Sequence, residues 1–197
     1  MLTPEQEKWV SHLSDSDKIK IYPWDPSSAA KFDKIAGKIK TVLPRAVIEL
    51  RGAAAMKISG QKEIDVYLPV SPANFDDYIN KISAIFGKPR SYYSLQRARF
   101  VDYANETKAE IFVINKESEQ WLNCLKFENY LVKNPDMLKK YEKLKELGCN
   151  LSTREYYRRK TEFINSSELR NAISFKKESQ TKTGLPTQDL EFSCNRR

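Results

Sequence analysis

A change of period near residue 116 limits what this chain can fold into. Before it, short β-branched and aromatic segments are separated by helical ones; after it, the apolar residues recur only at helical spacing. Ala46 to Leu50, Glu63 to Val70, Arg99 to Ala104 and Lys108 to Asn115 read as strands, and Ile19, Ile21 and Trp24 alternate like a further one. Asn105-Glu106-Thr107 gives the last two a hairpin spacing, so they should pair antiparallel. Helices are expected from Glu5 to Leu13, from Pro26 to Val42 behind an Asp25 cap, and from Pro72 through Phe86. In the second half, Trp121 to Leu131 forms one helix. A second opens at Pro135 and stops at Gly148, and a third begins at the capping-box pattern Ser152-Thr153-Arg154-Glu155. Strands first and helices afterwards argue an α+β fold, a mixed β-sheet flanked by helices with a helical C-terminal half. Residues 1–170 are read as one domain. From about residue 171 to residue 197 the composition turns Ser/Lys/Thr/Gln/Asn-rich, which is read as a flexible polar tail.

Charge narrows the partners. The formal net charge of +8 favours anions, and the excess lies in two places: eight cations against four acids in residues 51–100, and ten against six in 151–197. Neither block is a run of five or six like charges, so a nucleic-acid-binding arm using the last helix ranks behind a small phosphorylated ligand. No apolar stretch approaches the roughly 20 residues of a membrane span and the start lacks a secretory pattern, so no membrane partner and a cytoplasmic location are expected. Cys124, Cys149 and Cys194 are widely spaced with no CxxC, which indicates no zinc site, and the single histidine, His12, supports no His-based dyad or triad.

The stretch Arg51-Gly52-Ala53-Ala54-Ala55-Met56-Lys57 places a glycine and small residues between a strand and a short helix, where backbone N–H groups can meet a phosphate. The following strand carries a lone acid among apolar residues, Ile64-Asp65-Val66, and Glu110 has the same setting in Ala109-Glu110-Ile111. If those strands are neighbours, Asp65 and Glu110 share a face and could take Mg²⁺ beside a phosphate. On spacing alone, two acids at solvent-facing strand edges remain the other reading. Arg51, Lys57, Lys62, Arg97 and Arg99 supply cations near these elements, and Arg154, Arg158, Arg159 and Lys160 do so on the last helix.

Most of the body resembles the GrpB family of nucleotidyltransferase-like proteins. Ile21-Tyr22-Pro23-Trp24-Asp25-Pro26 is similar to that family's opening, and Lys62-Glu63-Ile64-Asp65-Val66 to its loop-to-strand acid. Trp121, Leu125, Phe127, Tyr130-Leu131, Pro135, Tyr141 and Leu144-Lys145 resemble its helical signature, and Tyr156, Lys160 and Phe163 its closing helix. The resemblance implies a nucleotidyltransferase-type sheet and a nucleoside triphosphate or other phosphorylated ligand. It places Gly52, Ala53, Lys62 and Lys160 at the phosphates, with Asp65 and Glu110 as metal-holding catalytic acids for Mg²⁺. Three positions depart from the pattern: Ala53 stands for the loop serine, Tyr67 for a second strand acid, and Glu49 for a histidine near the loop. Two functions therefore compete: metal-dependent transfer of a nucleotidyl group to an acceptor, and ligand binding without turnover.

Overall fold

The computed structural model describes residues 1–104, 107–166 and 169; the stretch read as a tail lies outside them. The chain divides into two compact units, a sheet unit of Ile21–Leu122 and a helical unit formed by Met1–Lys20 with the described residues from Asn123.

In the sheet unit, α2 (Ser28–Val42) is followed by β1 (Glu49–Arg51), the five-residue α3 (Gly52–Met56), β2 (Glu63–Val70) and α4 (Phe75–Phe86). Then come β3 (Ser91–Tyr93), β4 (Arg97–Ala104) and β5 (Thr107–Asn115). The five strands run in the order β1-β2-β5-β4-β3, mixed in direction: β2 and β5 are parallel, and the other three pairs are antiparallel. Period 2 explains the layer beneath the sheet. Ile64, Val66, Leu68 and Val70 of β2, Ala109, Ile111 and Val113 of β5, and Ala98 and Phe100 of β4 all turn to one face. There they meet Ile35 and Ile39 of α2, Leu43 just after it, and Phe75 and Ile82 of α4 in one buried cluster. The odd-numbered residues of β2 and the even-numbered ones of β5 belong to the opposite face, and all but Pro69 and Ile114 are charged or aromatic.

Ile19, Ile21 and Trp24 do not form a strand. Two isolated bridges replace it, Lys18 with Ser152 and Tyr22 with Gly60, because each end of the segment finds a different partner. The short β3 went unread in the sequence. Asp25 does organise the start of α2, but from outside the helix. Its carboxylate accepts from Ser27 N at 2.8 Å, Ser27 Oγ at 2.6 Å and Lys31 Nζ at 2.6 Å. The Lys31 bond, then the Ser27 bonds, hold this carboxyl well below the ordinary 3.8. A depressed carboxylate contributes stability that is present above its unfolded-state value and is lost as pH falls toward the folded one. Urea midpoints of the wild type and Asp25→Asn should accordingly differ at neutral pH and converge as pH drops below about 3.8. A gap that stays constant through that range would refute this account.

The helical unit holds α1 (Pro4–Ser11), the body of α5 (Glu119–Lys133, whose first turn falls in the sheet unit), α6 (Pro135–Leu147) and α7 (Thr153–Ile164). Gly148 follows α6 and Ser152 Oγ accepts Glu155 N at 3.2 Å, as the stop and cap residues indicate. Arg154 ties α7 to the end of α1, donating to the carbonyls of Ser11 and Leu13 and to Asp15. Arg158 pairs with both oxygens of Glu7 and holds that carboxyl below its ordinary range, while Arg159 pairs with Glu155. The arginines of the last helix are thus committed to carboxylates and helix ends. Among the described residues no helix is long and apolar enough to cross a membrane.

Candidate functional site

Strand register brings the candidate acids together. Asp65 lies opposite Glu110 on the parallel β2–β5 pair and opposite Arg51 on the antiparallel β1–β2 pair. Both acids are buried, Asp65 at 8% and Glu110 at 0% exposure, which rules out the solvent-edge alternative. Ionised groups at such depth require compensation. Glu110 Oε1 accepts from Lys108 Nζ at 2.6 Å and Arg99 Nη1 at 3.0 Å, and Lys108 also reaches Glu63 Oε1 at 3.1 Å. A continuous chain of charge, Glu63–Lys108–Glu110–Arg99, therefore crosses β2, β5 and β4. At the β1 edge Arg51 pairs with Glu49 at 3.3 Å.

An aromatic ladder runs beside it. The Arg51 guanidinium sits 5.2 Å from the centre of the Trp121 ring, and Trp121 stacks on Tyr67 at 5.5 Å. Tyr67 stacks on Phe112 at 4.5 Å, and Arg97 lies 5.8 Å from Phe112 and 5.4 Å from Tyr93. Tyr67, which stands where a second acid was looked for, is the middle rung. Offset aromatic pairs and cation–π contacts each add to area burial, so the residue has a packing role that an aspartate could not fill.

Gly52 has φ +66, left-handed backbone that favours glycine, and a Cβ built there would lie 2.3 Å from Asp65 Oδ2. The glycine is thus the surface against which the Asp65 carboxylate rests. Ala53 continues the turn; the α3 segment is closed by Lys57 in left-handed backbone and pinned by Trp24 Nε1 donating to the Ala54 carbonyl at 3.2 Å. Five residues make too short a helix for its dipole to hold an anion strongly. Lys62 is exposed, its ammonium 5.8 Å from the Tyr22 ring centre, and Lys160 is buried within the helical unit over Tyr157 at 5.6 Å.

The donor set does not fit Mg²⁺. That ion wants open octahedral oxygen coordination and keeps several waters, whereas Glu110 is fully enclosed with one oxygen already shared by two cations. Among the described residues no group of three or more His, Cys, Asp or Glu side chains could hold a metal. No chemical step is therefore routed through a metal here. Lys108 and Glu63 are site residues that sequence reasoning passed over; their signal was parity, since Lys108 is two residues from Glu110 and Glu63 two from Asp65 on the same strand faces.

Comparison with known proteins agrees with this architecture. The chain is 29% identical over 128 residues to the glutamate-rich protein GrpB of Alkalihalophilus pseudofirmus, covering 58% of this chain and 72% of that one. The crystal structure of the conserved protein GrpB from Enterococcus faecalis superimposes with a TM-score of 0.55 at 17% identity, over 78% of this chain and 94% of the other, a likeness of fold. The family model described as GrpB protein matches residues 18–170, most of the chain, and the chain belongs to that family.

Proposed function

We propose that this GrpB-family protein is a binding module for a phosphorylated small molecule, a nucleotide first among them, held on the charged face of the sheet. On this reading the sheet is of nucleotidyltransferase type, with its loop and acid strand kept for recognition and not for transfer. One observation carries it: of the two carboxylates that would have to hold a metal, Glu110 is engaged in the Glu63–Lys108–Glu110–Arg99 chain, and Tyr67 fills the second acid's place in the ladder. A phosphate would compete with Glu63 and Glu110 for Lys108 and Arg99, with Arg51 at the β1 edge as a further donor. Arg meets phosphate oxygens bidentately and Lys as a point charge. Gly52 and Ala53 contribute a small-residue turn packed beside Asp65, and exposed Lys62 adds charge. Lys160, in the helical unit, has no part in this reading.

Calorimetry with the four common ribonucleoside triphosphates, with Mg²⁺ and with EDTA, tests it. Binding should survive EDTA and weaken about tenfold or more in Lys108→Ala, the loss of one charge-assisted contact. No pyrophosphate should be released. A blank titration throughout removes the proposal. Metal-dependent pyrophosphate release that disappears in Asp65→Ala establishes the alternative, nucleotidyl transfer with Asp65 and Glu110 as catalytic acids.

A further inference from the structure

The β3–β4 hairpin is exposed, basic and apolar at once. From residue 78 to residue 101 the sequence holds no acid but contains Lys81, Lys88, Arg90, Arg97 and Arg99. Lys81 is paired with Asp77, and Arg97 and Arg99 turn into the sheet, which leaves Lys88 and Arg90 exposed beside the hairpin. Three large side chains there face solvent: Tyr92 at 49%, Tyr93 at 46% and Leu95 at 50% exposure. Leu95 also has φ +53. Glycine or asparagine would adopt that left-handed turn at less cost, and the conformation is fixed from β5. Asn115 Nδ2 donates to the Leu95 carbonyl at 2.8 Å, and Asn115 N to the Gln96 carbonyl at 2.9 Å. A bulky apolar side chain is thus held half-exposed on a fixed turn, an arrangement that costs stability.

We infer that this hairpin end is a docking point for an anionic lipid surface. Tyr92 and Tyr93 alternate to opposite sides of the strand, so their rings flank the turn as amphipathic side chains do at a headgroup layer, with Leu95 at the tip to enter the acyl boundary. Lys88 and Arg90 complement lipid phosphates. The charged neighbours on the other side are Lys116 and Glu117, which follow Asn115 and cancel each other. Single-stranded nucleic acid fits less well, because successive bases need rings on one face and have no use for Leu95. The sequence-based expectation of no membrane partner came from the lack of a spanning segment, and a surface contact needs none.

Co-sedimentation of the full chain with vesicles of equimolar phosphatidylglycerol and phosphatidylcholine, against vesicles of phosphatidylcholine alone, tests the inference at low ionic strength. The wild type should partition onto the anionic vesicles in clear excess. Leu95→Asn, which suits the left-handed turn and keeps the fold, should lower that partition about tenfold, as expected for losing one buried Leu side chain, while melting at or above the wild-type temperature. Lys88→Gln with Arg90→Gln should abolish the preference for anionic vesicles. Equal partition on both vesicle types, or an unchanged Leu95→Asn, overturns the inference. So does binding of single-stranded poly(U) that is lost in Tyr92→Ser without any vesicle partition.

Discussion

Glu110→Ala should destabilise the sheet unit by about 3–5 kcal/mol, because it removes the one group that Lys108 and Arg99 share, taking from Arg99 its carboxylate and leaving Lys108 with Glu63. The effect follows from geometry: Glu110 is fully buried on a central strand, and its Oε1 lies within 3.0 Å of both cations. Urea unfolding followed by tryptophan fluorescence reads it directly, since Trp121 reports through the same ladder. Glu110→Gln keeps the volume but not the charge and should recover only part of the loss. The informative companion is the triple variant Arg99→Met, Lys108→Met, Glu110→Leu. Buried ion pairs are often no more stabilising than apolar residues of similar volume, so the triple variant should approach wild-type stability while losing nucleotide binding. If Glu110→Ala costs less than about 1 kcal/mol, the range of an exposed pair, the buried charge chain described above is wrong.

The strands that carry that chain were legible beforehand, and the reason is local. Glu63–Val70 could be read to the residue because its even positions are all apolar, and Asp65 stood out as the acid that breaks the run. The same logic marked Glu110, which the β2–β5 register sets opposite Asp65, and the antiparallel β4–β5 pair expected from hairpin spacing was borne out. What escaped depends on partners distant in sequence. Three-residue β3 has too little alternation to detect and exists because β4 pairs with it. The segment from Lys18 to Tyr22 shows good alternation and is still no strand, since pattern records which side chains want burial and not whether a neighbouring strand is at hand. Lys108 was invisible for a related reason: beside Glu110 it reads as an exposed cation at a turn, until parallel pairing sets Glu63 opposite it. Tyr67 was legible only as the absence of an acid. Its role required knowing that Phe112 lies across β5 and that the start of α5 brings in Trp121.

Gly52→Ala should cost about 2–4 kcal/mol, the sum of two separable effects. An alanine at φ +66 adds about 1–2 kcal/mol of backbone strain, and its Cβ would fall 2.3 Å from Asp65 Oδ2, so a buried carboxylate must move. Asp65 is the third residue of β2 with paired strands on both sides, which leaves its short side chain little freedom to swing away. A double-mutant cycle isolates the contact. With Asp65→Ala in the background the clash vanishes, and Gly52→Ala should then cost only the strain of the turn. The difference, at least about 1 kcal/mol of coupling, measures how tightly the loop is built around that acid. Additive effects would mean that Asp65 swings aside at no cost, and Gly52 would then be present for its backbone conformation alone. The cycle bears on function as well. If phosphate is recognised beside this loop, Gly52→Ala should weaken nucleotide binding by more than its effect on stability explains, whereas Ala53→Ser, which restores a hydroxyl at the next position without altering the turn, should leave stability within about 0.5 kcal/mol and bind at least as well. Calorimetric titration of both variants at a temperature where each is fully folded decides it: equal affinities for wild type and Gly52→Ala would separate the loop from the ligand.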